Sequence, residues 1–304
     1  MEFPRLPRFN RSLDITPMRL TERDREILKH IHRHRFLRSD HLTSLIAGSG
    51  QQLLRRLQLL YHHGYLERPR CQIDYYHRSG SRTIAYGLGN KGAGLLKREL
   101  GLPFHRLDWP TKNRVERLLL EHALMVSDFM VRLELACRSR KDVRLLDVEE
   151  LESGGGKRRQ PFQWKVDIGR GQRCGVIPDR VFGLEFPEKP AGQNRIWYFL
   201  EADRGTMPVT RSRLDQSSYH RKLLAYQATW TQNLHRQLGI SRFRVLTVTT
   251  SADRLASMQE ACRSMPRGQG LFLFTDSASL NAHPNVLTLP FQTGHSGATT
   301  ALIG

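Results

Sequence analysis

Glu201 and Asp203 close an apolar run in RIWYFLEADRGT, residues 195–206. Side chains two apart on a β-strand share a face, so the two carboxylates point the same way. Asp179 follows a proline in GVIPDRVFGLEF, and the chain between it and Glu201 is long enough for one hairpin to bring the two strands together. Converging carboxylates suit hard divalent ions such as Mg2+ or Mn2+, which take one or two carboxylates together with water and phosphate oxygens. An ion so held can activate water and grip a scissile phosphate. Lys222 lies on the helix expected after this strand, and Tyr226 shares its face one turn on. The chemistry to expect is metal-assisted phosphodiester cleavage by Asp179, Glu201, Asp203 and Lys222, with Asp179 and Glu201 as the metal ligands. The plainer reading is a solvated strand end, with Asp203 and Arg204 in an ion pair or a turn and Gly205 permitting a positive φ.

The elements around these residues alternate. A long helix begins near Arg114, with Leu118, His122, Met125, Phe129 and Leu133 at helical spacing. A strand is expected over 143–151, then a polar, glycine-rich connection over 152–172. Two antiparallel strands carry Asp179 and Glu201. Helix, strand, helix and strand follow, which reads as a mixed α/β sheet. The arrangement resembles the PD-(D/E)xK nuclease core: Pro178-Asp179 matches its first half, and Glu201-x-Asp203 occupies the second. That resemblance implies a restriction-endonuclease-like domain. Asp203 stands where the resemblance would place a lysine. Either Lys222 enters the site from the helix, or cleavage is weak or lost and the core serves as a scaffold or a dimerisation module.

The 304 residues carry 48 Lys and Arg against 29 Asp and Glu, a formal net charge of +19. An excess of that size favours a polyanionic partner, because neutralised phosphates release counterions. It is concentrated early: residues 1–120 hold 23 basic and 11 acidic side chains. Thr21, with Asp24 three residues on, begins a helix whose apolar stripe is Ile27, Leu28 and Ile31. A second short helix spans 39–46, with Ser39 as its cap. A third runs from Gln51 to about His63, with Leu54, Leu57, Leu60 and Tyr61 on one face and Gln51, Gln52, Arg55, Arg56 and Gln58 largely off it. Two strands follow around the turn HRSGSR. Three short helices and a basic hairpin make the order of a winged helix-turn-helix. The third helix would enter the major groove, where Gln and Arg read adenine and guanine edges. Arg70, Arg78 and Arg82 would meet the backbone from the hairpin. His30, His32 and His34 read as surface residues.

The chain is therefore expected to be α+β, with a basic arm over 1–19 and a winged helix-turn-helix over 20–100. A linker over 101–113 and a mixed-sheet domain over 114–291 come next, and residues 292–304 read as a loose tail. Four scattered cysteines without a CxxC pair argue against a structural zinc site and fit a reducing cytoplasm. The first residues lack the apolar core of a signal peptide, and no window is apolar enough to span a membrane. No GxxxxGK[ST] loop and no nucleophile elbow occurs, which disfavours an ATPase or a serine hydrolase.

Several segments, in order, resemble the replication-relaxation family of plasmids and integrated mobile elements. They are LTERDREIL (20–28), LLRRLQLLYHHGYLER (53–68), YGLGNKGAGLL (86–96), EHALMVSDF (121–129), IPDRVF (177–182), FLEADRGT (199–206) and RKLLAY (221–226). The resemblance implies a role on double-stranded DNA in plasmid replication, in DNA relaxation for transfer, or in regulating either. Relaxase, replication or transfer proteins are in keeping with it as partners, and a homodimer would let paired winged helices read paired half-sites. The resemblance also implies that Asp179, Glu201, Asp203 and Lys222 act together, in chemistry or in architecture. Two alternatives stay open: a divalent-metal endonuclease or nickase, and a protein-recruiting interaction module.

Overall fold

The computed structural model describes residues 7–12, 15, 17–73, 83–101, 116–152, 162–169, 171–213 and 215–303. Arg78, Arg82 and residues 102–113 of the expected linker lie outside the described residues. The chain is α+β and divides into two compact units, Met1–Val131 and Arg132–Gly304.

In the first unit the order is α1 (Glu22–His34), β1 (Phe36–Arg38), α2 (Ser39–Leu45), α3 (Gly50–His62), β2 (Leu66–Glu67), β3 (Ala85–Leu88) and α4 (Asn90–Leu100). The strands form an antiparallel sheet in the order β1-β3-β2. A reciprocal capping box starts α1: the Thr21 N–H donates to the Asp24 carboxylate at 2.7 Å, and the Asp24 N–H donates back to the Thr21 hydroxyl at 3.3 Å. Ile27, Leu28 and Ile31 are buried as their spacing predicts, but His30 lies in the buried part of the helix too. Ser39 is the first residue of α2 rather than its cap, a place taken by Arg38. Ser49 caps α3, its hydroxyl accepting from the Gln52 N–H at 3.4 Å.

The buried stripe of α3 is Leu53, Leu57, Leu60 and Tyr61. Leu54, expected in that stripe, points outward and is 47% exposed. Residues 53 and 54 are both leucine, so periodicity alone could not choose between them; tertiary packing does. At the start of α4 the chain passes very close to its neighbour. A Cβ on Gly92 would lie 2.3 Å from the Tyr65 carbonyl oxygen, so only glycine fits there. The described part of the basic arm is docked rather than free. Arg11 donates to the Tyr61 and Leu66 carbonyls at 3.1 and 3.3 Å. The buried Arg68 guanidinium stacks on Tyr61 and Tyr86, 4.2 and 5.1 Å from the ring centres, and donates to the Arg8 carbonyl.

The division between the units falls within helix α5 (Arg117–Arg138). Its first turns belong to the first unit, where Leu120 and Leu124 pack with Phe36 and Ala85. The Ser127 hydroxyl donates to the Phe36 carbonyl at 2.7 Å. Leu118, expected on the buried stripe of this helix, is exposed, and Leu120 and Leu124 take its place.

The second unit holds the end of α5 and a seven-stranded sheet. Its elements are β4 (Arg144–Asp147), α6 (Glu149–Glu152), β5 (Trp164–Asp167), β6 (Arg173–Val176), β7 (Arg180–Glu185), β8 (Arg195–Ala202), α7 (Tyr219–Thr231) and α8 (Leu234–Gln237). These are followed by β9 (Phe243–Thr249), α9 (Ala252–Arg263), β10 (Phe272–Asp276), α10 (Ser277–Ala282), β11 (Phe291–Thr293) and β12 (Thr299–Thr300). The order across the sheet is β12-β11-β10-β9-β8-β7-β4. Strands β8, β9 and β10 run parallel; the other neighbours are antiparallel, so the sheet is mixed. Helices α7 and α9 are the crossovers that parallel neighbours require.

Three expectations change in this unit. The strand expected over 143–151 is β4 alone, Arg144–Asp147, and Glu149–Glu152 is helical. Residues 164–167, read as part of a polar connection, form β5, which pairs antiparallel with β6 at the start of the segment expected as one strand. Trp164 and Val166 alternate inward from β5. The Trp164 ring packs 5.1 Å from Phe199 and 6.1 Å from Tyr226, and its indole N–H donates to Thr229 at 2.8 Å. Residues 292–304, read as a loose tail, contribute β11 and β12 to the main sheet. Leu302 is buried there, its N–H donating to the Leu287 carbonyl at 3.1 Å.

Candidate functional site

Asp179 and Glu201 are brought together by strand register. β7 and β8 pair with Arg180 opposite Leu200, so Asp179 and Glu201 are the next opposed pair and share a face. The Asp179 N–H donates to the Leu200 carbonyl at 3.0 Å. Its carboxylate accepts from the Ala202 N–H at 2.8 Å. On the other side of β8, Glu201 pairs with Thr247 of β9.

Helix α7 covers this row. Ser218 caps it, and Lys222 and Tyr226 stand one turn apart above Glu201. Lys222 Nζ lies 2.6 Å from Glu201 Oε2, and the Tyr226 hydroxyl donates to Oε1 at 2.5 Å. The Tyr219 hydroxyl and Thr247 Oγ1 share a further hydrogen bond of 2.6 Å. Glu201 is buried, and burial pushes its carboxyl above the usual range; Lys222 opposes that rise and the charge of Asp179 adds to it. Burial, then the charge of Glu201, pushes the Tyr226 phenol well up. For Lys222 burial works against the charge, but Glu201 and Asp179 outweigh it and hold the ammonium protonated to higher pH.

Asp203 has partners of its own. Its backbone N–H donates to the Val248 carbonyl at 2.8 Å, continuing the parallel ladder. Its carboxylate takes the Arg254 fork at 2.9 and 3.0 Å and the Thr249 hydroxyl at 2.8 Å. The four expected residues therefore separate into two groups: Asp179, Glu201 and Lys222 with Tyr226, and Asp203 with Arg254. Sequence spacing gave no sign of Arg254, whose pairing depends on β9 lying beside β8. Tyr219 and Thr247 were equally hidden.

Both Glu201 oxygens are engaged by hydrogen-bond donors, and one of those donors is itself a cation. Among the described residues, Asp179, Glu201 and Asp203 do not offer three ligand oxygens within 4.8 Å of one another. The arrangement as it stands does not fit Mg2+ or Mn2+, because the Lys222 ammonium occupies the place on Glu201 that a cation would take.

On α3 the two adjacent arginines have different surroundings. Gln51, Gln52 and Arg55 are exposed. Arg56 is turned inward: its Nε and NH2 fork the Asp24 carboxylate, the former at 2.9 Å, and NH2 also donates to the Arg19 carbonyl at 3.0 Å. Burial opposes ionisation of Asp24, but the Arg56 fork and the Thr21 N–H and hydroxyl outweigh it and hold the carboxyl below its ordinary value. Arg56, expected among the groups that meet DNA, is a strut between α3 and the start of α1. Arg70 is exposed at the head of a single 3-10 turn, Arg70–Gln72.

The family model for replication-relaxation proteins matches residues 28–240, more than half of the chain. The chain belongs to the replication-relaxation family. No curated protein and no solved structure matches it. The matched stretch holds α3, with its exposed polar face, and the Glu201–Lys222–Tyr226 cluster; β9, Arg254 and everything after them lie beyond it. Among the described residues no helix is long and apolar enough to cross a membrane.

Proposed function

We propose that this replication-relaxation protein binds double-stranded DNA through its first unit and acts in the replication of a plasmid or mobile element, in DNA relaxation for its transfer, or in their regulation. The order helix, strand, helix, helix, strand, strand with a three-stranded antiparallel sheet supports a winged helix-turn-helix in which α3 enters the major groove. The observation that carries the reading is the outward face of α3, where Gln51, Gln52 and Arg55 stand in solvent while Arg56 fixes the helix from behind. Arg70 and, between β2 and β3, Arg78 and Arg82 serve as backbone contacts of the wing. A homodimer would present two such helices to paired half-sites.

In the second unit, β4, β7 and β8 run antiparallel and β9 follows through the α7 crossover, which supports a PD-(D/E)xK-like core. Its acidic cluster is architectural in this reading: Lys222 and Tyr226 clamp α7 onto β8 through Glu201. The unit then serves as a platform for dimerisation or for relaxase, replication or transfer proteins.

The test is a gel shift on short duplexes, together with incubation of supercoiled plasmid with the protein and Mg2+ or Mn2+. Retardation that weakens with salt and with Arg55→Ala, with the plasmid left intact, supports the proposal. Nicking or linearisation lost in Glu201→Ala would replace the architectural reading with an endonuclease or nickase. No retardation at any salt would leave an interaction module.

A further inference from the structure

The outward turn of Leu54 has a use on DNA. An α-helix advances about 100° per residue, so Gln51, Leu54, Arg55 and Gln58 fall within an arc of about 100°. That arc lies opposite the buried Leu53, Leu57 and Leu60. Gln51 and Arg55 are exposed, Gln58 is half-buried, and Leu54 keeps 47% of its surface in water. Among the described residues, no side-chain hydrogen bond or ion pair engages Gln51, Arg55 or Gln58. Leu54 is not a spare core residue, because Leu53 already fills that position. The stripe is therefore amide, isobutyl, guanidinium, amide, read along about 10 Å of helix, the rise of roughly three base pairs.

Those groups match the major-groove edges of bases. Gln suits the adenine N6/N7 edge and Arg the guanine O6/N7 edge. The apolar feature of that groove is the thymine C5-methyl. We propose that Leu54 is a specificity residue that packs on a thymine methyl, with Gln51 and Arg55 reading the neighbouring bases. The inference rests on the duplex-binding reading above and deepens it: the half-site must contain thymine where Leu54 falls, and its recognition depends on one methyl group.

A pool of short random-sequence duplexes is selected with the full chain, and the enriched duplex is resynthesised with thymine or with uracil, which lacks only the methyl. Wild type should bind the thymine duplex roughly fourfold more tightly per contacted methyl, the fold-change that burying one methyl group supplies. Leu54→Ala should bind both duplexes alike, near the uracil level, with an unchanged melting temperature. Arg55→Ala should weaken both while keeping the thymine preference. Equal wild-type affinity for the two duplexes, or a thymine preference that survives Leu54→Ala, overturns the role of Leu54 and leaves duplex binding standing. Failure to retard any duplex overturns the DNA reading itself, and this inference with it.

Discussion

Replacing Arg56 by methionine should unfold the first unit at lower temperature, whereas the same loss of charge at Arg55 should not. The Asp24 side chain is wholly buried, and the Arg56 side chain is 22% exposed. Removing one partner of a buried pair costs about 3–5 kcal/mol, since the other charge stays buried without compensation. Asp24 would keep the Thr21 N–H at 2.7 Å and the Thr21 hydroxyl at 2.8 Å, so the lower end, about 3 kcal/mol, applies. For a unit of this size that is a fall in melting temperature of about 10 °C. The pH dependence has a definite sign. Asp24 is held below its ordinary value, so its contribution is complete above the unfolded carboxyl value of about 4 and is lost as pH falls through the folded one. The Arg56→Met deficit should therefore be full at neutral pH and shrink in acid. Thermal unfolding followed by calorimetry at neutral pH and at about pH 3, below the unfolded carboxyl value, reads both effects. A variant that melts like wild type but loses duplex affinity as Arg55→Ala does would refute the strut and return Arg56 to the DNA face.

Lys222→Met should destabilise the second unit by about 1–2 kcal/mol, less than a fully buried pair would lose because the Lys222 side chain is 40% exposed. The Glu201 carboxyl, already raised by burial, rises further without the ammonium, so the deficit should grow with pH; a pH-independent melting curve would count against the clamp. In α4, Gly92→Ala should cost about 1–3 kcal/mol, since its Cβ would meet the Tyr65 carbonyl at 2.3 Å. Gly94→Ala, whose nearest neighbour is the Arg98 guanidinium at 3.8 Å, should instead stabilise by about 0.5–1 kcal/mol; chemical denaturation of the pair checks the contrast.

Local rules made the first helix start and several shared faces legible, though not the cap of α2. The Thr21–Asp24 box, the shared face of Glu201 and Asp203 and the shared face of Lys222 and Tyr226 all follow from spacing. What spacing could not supply was partner choice across the sheet. Asp203 meets Arg254, 51 residues away, because β9 lies parallel to β8. Arg55 and Arg56 are identical in type and adjacent, yet about 100° apart on the helix, so only the packing of α3 on α1 decides which one faces water. The leucine pair at 53 and 54 posed the same problem of phase. β5 did carry an alternation, Trp164 and Val166, but the glycine-rich residues on either side of it read as a connection. The last two strands are short, and pairing of β11 to β10 and of β12 to β11 orders them rather than any propensity of their own.

The most direct test of duplex binding by α3 is its salt dependence, measured by fluorescence anisotropy on a labelled duplex. The logarithm of the binding constant should fall linearly with the logarithm of salt concentration, by about 0.9 for each phosphate neutralised. Arg55→Ala should alter the binding of a stably folded protein, whether by weakening it at every salt or by flattening that slope by about one contact, and Arg56→Met, measured below its melting transition, should leave the slope as in wild type. Binding that ignores salt, or that is indifferent to Arg55, would contradict the account.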